Sequence, residues 1–265
     1  MPIHSSLAVR NLSKEEFDER DKIVMRCAYD TQNALGRLCD ERVYENELAR
    51  RLRAFGFREV HTQVPVIFTH ETYSKDYRLD LVADDAIYEI KTVASLTSEH
   101  DAQFLHYAML LSVNHGKLLN FRNARVEGRL RFNAIMTEAR YRLSVDDLLW
   151  NPLDANCLVL MKYTRALLSD WGGFLDFRLY EDALIHYFGG NDNATSRRPL
   201  TYEERIIGTH RFCFHAKDSC FMVTGFAKSD DQISHVQRLL SLSDFKSMQW
   251  INFHHHIVQF RTLTR

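Results

Sequence analysis

The sequence predicts an α/β fold, a mixed sheet flanked by helices, duplicated in tandem. Three observations carry that expectation. Before Gly56, two segments space their apolar residues as helices do, and from Val60 the pattern shortens to the period of strands. One helical segment then interrupts the strand-like ones, the order that lays helices beside a mixed sheet. Finally, the stretch at 36–48 recurs at 172–184 with six of thirteen residues identical.

Taken in order, Ser13-Lys14-Glu15-Glu16 has the Ser and Glu spacing of a capping box, so a helix opens there. It runs to about Leu35 and stops near Gly36. A second helix covers 38–55, with Val43, Leu48, Leu52 and Phe55 on one side, and ends before Gly56. Residues 60–68 read as a strand in which Pro65 indicates an edge or a bulge. Two more strands, 77–83 and 86–93, flank Asp84-Asp85 as a two-residue turn. Thr97 or Ser98 caps a helix reaching about Ser112, and short strands follow at 117–121 and 129–135. Asn151-Pro152 marks a boundary between a domain of residues 1–140 and one of residues 150–265. The segment 189–199 (GGNDNATSRRP) is the most loop-like stretch of the chain. Beyond it, 211–215, 220–226 and 247–260 read as strands.

Composition narrows the function classes. With 45% hydrophobic and 26% charged residues, the chain has the balance of a globular protein. A formal net charge of −1 means that any nucleic-acid binding must come from a local basic patch. Five scattered cysteines with no CxxC fit reduced thiols better than a disulfide framework or a structural zinc site. There is no apolar run of membrane length and no apolar signal core at the N-terminus, so a cytoplasmic protein without a membrane span is expected.

The 77–93 hairpin carries the chemistry. With Asp84-Asp85 as the turn, Asp80 lies opposite Glu89 and Arg78 opposite Lys91. Alternation puts Asp80, Glu89 and Lys91 on one face and Leu79, Leu81, Tyr88 and Ile90 on the other. Two carboxylates facing each other across a ladder repel, and a divalent cation between them removes the repulsion. Mg²⁺ commonly binds through one or two carboxylates with water and substrate phosphate, and Lys91 is placed to orient the attacking water or offset developing charge. The alternative is a solvent-facing hairpin with chance charges.

The surrounding residues bear on that choice. The sequence resembles the GxxExxY family, a branch of the PD-(D/E)XK nuclease superfamily. The resemblance rests on Ala34-Leu35-Gly36, Glu41-Arg42-Val43-Tyr44-Glu45, Gln63-Val64-Pro65, Tyr77-Arg78-Leu79-Asp80-Leu81-Val82, Glu89-Ile90-Lys91, Gln103 and Leu119-Asn120-Phe121. It implies Asp80 and Glu89 as ligands of Mg²⁺ or Mn²⁺, Lys91 as the catalytic lysine and Glu41 as the helix carboxylate that completes the metal site. Gln103 and Tyr107 form a QxxxY motif that looks like the one in RecB-type nucleases, where it contacts water or substrate. Leu38 stands where the family often has a second glycine. Glu45, Tyr44 and Tyr107 also have a structural reading, since helical tyrosines are commonly half-buried packing residues. Together these imply a nuclease acting on DNA, less readily RNA. The alternative is a non-catalytic nucleic-acid-binding or assembly protein that keeps the fold.

The second half follows the first at an offset that falls from 136 to 134 to 132. At 134, Asp80, Glu89 and Lys91 become Phe214, Val223 and Gly225, and at 136 Glu41 becomes Phe177. This predicts a degenerate copy that keeps the fold and not the metal, giving a monomer with an internal pseudo-dimer, or a homodimer. His254-His255-His256 lies in an expected strand, with His254 and His256 on one face, and lacks an evident third ligand. Arg50, Arg51, Arg53 and Arg58, and Arg122, Arg125, Arg129 and Arg131, could contact phosphates or pair with nearby acids.

Overall fold

The computed structural model describes residues 3–265, which divide into two units, one ending at Thr137 and one running Glu138–Arg265. In the first, β1 (Ile3–Ser5) precedes α1 (Lys14–Leu35) and α2 (Glu41–Phe55), followed by β2 (Val60–His70), β3 (Tyr73–Ala83), β4 (Ala86–Lys91), α3 (Ser98–Leu111), β5 (His115–Asn120) and β6 (Glu127–Phe132). The six strands form one sheet in the order β1-β2-β3-β4-β5-β6. Only the β4–β5 pairing is parallel, and α3 supplies its crossover.

The local signals act as expected at α1. Glu16 N donates to Ser13 Oγ (3.2 Å) and Ser13 N to Glu16 Oε2 (2.9 Å), which is the capping box. Gly36 ends the helix at φ 73°, ψ −154°, a conformation open to glycine. Helix α2 starts at Glu41, three residues later than expected, because 36–40 is a bend held from the helix itself. Tyr44 Oη donates to Gly36 O (2.9 Å) and accepts from Cys39 N (3.2 Å). Pro65 lies just past the end of the β1–β2 pairing, and Gln63, at φ 52°, distorts β2 two residues earlier. The strand is therefore partly an edge, with a local twist at Gln63 that leaves the β2–β3 register unshifted rather than a bulge.

The apolar faces of α1 and α2 pack on one side of the sheet. Phe17, Val24, Tyr44, Leu48 and Leu52 meet Leu81, Tyr88, Ile90, Leu119 and Phe121 in one buried cluster. Each such side chain contributes about 1.5–3 kcal/mol by leaving water. On the other side α3 comes close to the sheet. A Cβ on Gly116 would lie 2.3 Å from Phe104 Cζ and 2.6 Å from Ile87 Cγ1, so only glycine admits the helix at this height.

In the second unit, α4 (Thr137–Arg140) leads into β7 (Ser144–Leu149), α5 (Ala155–Trp171), α6 (Phe177–Tyr187), α7 (Asn191–Ala194), β8 (Thr195–Tyr202), β9 (Arg205–Ala216), β10 (Ser219–Thr224), α8 (Ile233–Leu242), β11 (Ser247–His254) and β12 (Ile257–Thr264). The sheet order is β7-β12-β11-β10-β9-β8. Apart from the extra short helix α7, the elements and strand senses from α5 to β12 repeat those from α1 to β6, with β10–β11 as the matching parallel pair. The sixth strands differ: β1 lies outside β2, whereas β7 lies beside β12.

Three expectations change. The division falls between Thr137 and Glu138, ahead of Asn151-Pro152 and of the expected 140 and 150 limits, because residues 144–149 already pair with β12. Segment 189–199 contains α7 and the start of β8 rather than a loop, and Pro199 is tolerated because β8 is the edge strand. The histidine run is not in one strand. His254 ends β11, while His255 (φ 57°) and His256 form the turn to β12, so no shared strand face exists.

Candidate active site

The site begins with a tight turn. Asp84 and Asp85 have φ of 44° and 70°, the left-handed pair a two-residue hairpin turn requires. Asp84 Oδ1 accepts from the backbone N of Glu59 (2.8 Å) and Arg58 (3.1 Å), and Asp85 Oδ1 accepts from Arg10 N (3.0 Å). The register follows: Ala83 faces Ala86, Val82 faces Ile87, Leu81 faces Tyr88. The next facing positions are Asp80 and Glu89, as the turn predicts. There the ladder stops, because Ile90 N donates to Asp80 Oδ2 (2.8 Å).

Leu79, Leu81, Tyr88 and Ile90 are buried as expected, but Glu89 and Lys91 are buried too. Glu89, 2% exposed, accepts from Lys91 Nζ at Oε1 (2.7 Å), while Oε2 has no partner among the described residues. Burial, then repulsion from Asp80, pushes the Glu89 carboxyl up to about 8 against the attraction of Lys91. Burial also raises Asp80, opposed by the Ile90 N–H and by Lys91. For Lys91, burial pulls downward, but Glu89, Asp80 and Glu41 outweigh it, and its affinity for the proton rises. A buried carboxylate with a free oxygen beside a second carboxylate fits a hard divalent cation, since the donors are oxygens.

The helices complete the surroundings. Glu41, at the first turn of α2, accepts from Thr92 N (3.1 Å), just past Lys91, and its charge is felt at Asp80, Glu89 and Lys91. On α3, exposed Gln103 donates from Nε2 to Tyr107 Oη (3.2 Å), and the buried phenol feels Glu89, Asp80 and Lys91. All six predicted residues thus border one region. The oxygens of Glu41, Asp80 and Glu89 are not all drawn within 4.8 Å of one another. Lys91 holds Glu89 while Thr92 holds Glu41.

Sequence reasoning missed two supporting residues. Gln63 Nε2 donates to Glu45 Oε2 (2.7 Å) and to Asp80 Oδ1 (3.2 Å), joining α2 to the hairpin. Its signal was the register: Val64 faces Leu79 and Thr62 faces Leu81, so Gln63 is opposite Asp80. Asn120, which the sequence offered only as part of the Leu119-Asn120-Phe121 match, is a latch. It accepts from Val93 N (3.1 Å) and donates to Val93 O (2.8 Å), fixing the chain that leaves Lys91. Its recurrence as Asn252 was the available clue. The arginines are mostly committed: Arg50 and Arg51 pair with Glu47 (both 2.7 Å), Arg131 pairs with Asp101, and Arg129 pairs with Glu127 (2.9 Å).

Strand registers correct the pairing of residues read at offset 134 between the two halves. Lys91 faces Asn120 across β4–β5, and Thr224 faces Asn252 across β10–β11. Thr224, not Gly225, therefore stands at the lysine position, and Met222, not Val223, at that of Glu89. Continuing the β9–β10 register from Cys220–Phe214 and Phe221–Cys213 puts Phe212, not Phe214, opposite Met222. A shift of one residue changes strand face, so an offset read from sequence was too coarse. Phe177, at the place of Glu41, lays its ring 2.8 Å from where a Cβ of Gly225 would be.

Residues 18–132 match the family model of the PD-(D/E)XK nuclease superfamily, whose members are in general nucleases. The matched stretch contains every predicted site residue and ends before the second unit. Comparison with curated proteins and with solved structures returns no match. Among the described residues no helix is long and apolar enough to cross a membrane.

Proposed function

We propose that this protein is a cytoplasmic, metal-dependent nuclease of the GxxExxY branch that hydrolyses phosphodiesters, in DNA ahead of RNA. The observation that carries it is half-buried Asp80 beside buried Glu89 and Lys91, with one carboxylate oxygen of Glu89 unsatisfied. Asp80 and Glu89 would hold Mg²⁺ or Mn²⁺, with Glu41 completing the oxygen set. When bound, the ion supplies Lewis-acid polarisation of the phosphoryl oxygen and acidifies the attacking water. The protein's own groups position the reactants. Lys91, buried and charged, donates a hydrogen bond to the attacking water or to the developing phosphoryl charge. Gln103 and Tyr107 offer an amide and a phenol at the mouth of the site for substrate or water. The N-terminus of α2 adds a partial positive charge that favours phosphate.

We further propose that the second unit is a degenerate copy. Supporting this are the repeated element order, the stacking of Tyr44 on Phe121 and of Tyr180 on Phe253, and the Tyr44–Gly36 and Tyr180–Gly172 hydrogen bonds. Asn252 also repeats the Asn120 latch on Phe226 (2.8 and 3.0 Å). With phenylalanine, methionine and threonine at the active positions, one live site per chain cuts one strand at a time.

The test is incubation with single- and double-stranded DNA and RNA in Mg²⁺, Mn²⁺ or EDTA, beside Glu89→Ala and Lys91→Ala. Metal-dependent cleavage that falls by orders of magnitude in both variants is expected. Equal cleavage in all three proteins identifies a contaminant, and binding without cleavage supports the non-catalytic alternative. On supercoiled plasmid a nicked form should precede the linear one.

A further inference from the structure

The second unit holds a cluster that the nuclease site does not use. Asp154, Cys157 and His215 place a carboxylate oxygen, a sulfur and a ring nitrogen all within 4.8 Å of one another. Asp154 N-caps α5, its Oδ1 accepting from Cys157 N (2.8 Å), so the first turn of the helix holds two of the three groups. His215 comes from β9, and its Nε2 lies 3.4 Å from Cys157 Sγ.

That distance has a definite meaning. Bonds of about 2.3 Å to sulfur and about 2.0–2.1 Å to nitrogen, at a tetrahedral angle, separate the two donors by about 3.5 Å. The sulfur is also prepared as an acceptor. Gln249, fully buried, donates from Nε2 to Cys157 Sγ (3.2 Å), and its Oε1 accepts from Thr262 Oγ1 (2.7 Å). Such an outer hydrogen bond orients a ligating atom. His215 is 6% exposed, so the nitrogen that faces Cys157 is held away from bulk solvent. Exposed Asp154 also lines a cavity of about 460 Å³, so the carboxylate end of the cluster faces solvent while Cys157 and His215 are buried.

We propose that Asp154, Cys157 and His215 form a three-ligand site for a borderline-soft divalent cation of the Zn²⁺ class, clipping the start of α5 to β9. Binding forms a metal–sulfur bond and releases the Cys157 thiol proton to solvent. The sulfur and nitrogen donors set this site apart from the all-oxygen set of the first unit, so the two select different ions. It stands independently of the nuclease proposal.

Cobalt is the probe, because a thiolate ligand gives it a near-ultraviolet charge-transfer band that carboxylates do not. The full chain, stripped with EDTA and dialysed, is titrated with Co²⁺ and then Zn²⁺. One equivalent of Co²⁺ should develop that band, and Zn²⁺ should abolish it. Glu89→Gln should leave it unchanged and Cys157→Ser should remove it. Asp154→Asn, an exposed change that keeps the capping oxygen, should weaken binding at least about tenfold, which also covers failure of Cys157→Ser to fold. Absence of the band in the wild type, equal affinity in Asp154→Asn, or loss of the band in Cys39→Ser instead of Cys157→Ser would each overturn the site.

Discussion

Glu89→Gln should make the metal-free protein more stable at alkaline pH and leave it almost unchanged in acid. Glu89 is 2% exposed, and burial with repulsion from Asp80 raises its carboxyl from an ordinary 4.5 up to about 8. In the unfolded chain the proton leaves near the ordinary value, while in the folded chain it is retained to the raised one. The stability that a protonated Glu89 contributes is therefore complete below pH 4.5 and is lost as pH rises to about 8. At about 1.4 kcal/mol per pH unit the full loss is about 5 kcal/mol, of which about 4 falls between pH 5 and pH 9, a large share of a typical domain's stability. Glutamine keeps the shape and an oxygen for Lys91 Nζ but never ionises, so it escapes the loss. The assay is urea denaturation of both proteins in EDTA, at pH 5 and pH 9. The variant should gain several kcal/mol at the higher pH only, about 4 at most. Adding Mg²⁺ or Mn²⁺ should stabilise the wild type at alkaline pH and not the variant, because the ion needs the ionised carboxylate. A stability difference equal at both pH values would refute the claim that a buried, proton-holding carboxyl sits at Glu89.

Gly36→Ala should cost about 1–3 kcal/mol through backbone strain alone, since no atom lies within 4 Å of the added Cβ. Gly172→Ala, at nearly the same φ, should cost more, because its Cβ would lie 2.6 Å from Arg140 O; urea midpoints that rank the two in reverse would contradict this. Asn120→Ala removes the latch on Val93 and should cost about 1–3 kcal/mol, with faster amide exchange at Val93 as the local readout. Tyr107→Phe should lower the cleavage rate while leaving the cation-induced stabilisation intact, and loss of that stabilisation would place the phenol among the ligands instead.

Much of the site could be read from the chain because it depends on short-range geometry. The Ser13–Glu16 capping box, the glycine stop at Gly36 and the Asp84-Asp85 turn are decided by residues within a few positions of one another. From that turn and the two-residue period of a strand, the opposition of Asp80 and Glu89 follows without further information. Other features needed distant partners. The three-residue delay in α2 depends on Tyr44 reaching back to Gly36, and the strand at 195–202 depends on β9 pairing with a segment whose composition reads as loop. The offset between the halves assigned Val223 and Gly225 to places where the strand registers put Met222 and Thr224.

The amino-acid order by itself determined where helices start and stop, which strand residues share a face, and which three side chains meet at the hairpin, because caps, turns and alternation are local. The tertiary structure alone decided what surrounds them. Burial by α3 and the sheet raises Glu89, Gln63 ties Asp80 to Glu45, and Cys157 meets His215 from fifty-eight residues away. Desolvation and long-range contact arise only when segments far apart in the chain exclude water together, and no pattern along the chain encodes that distance.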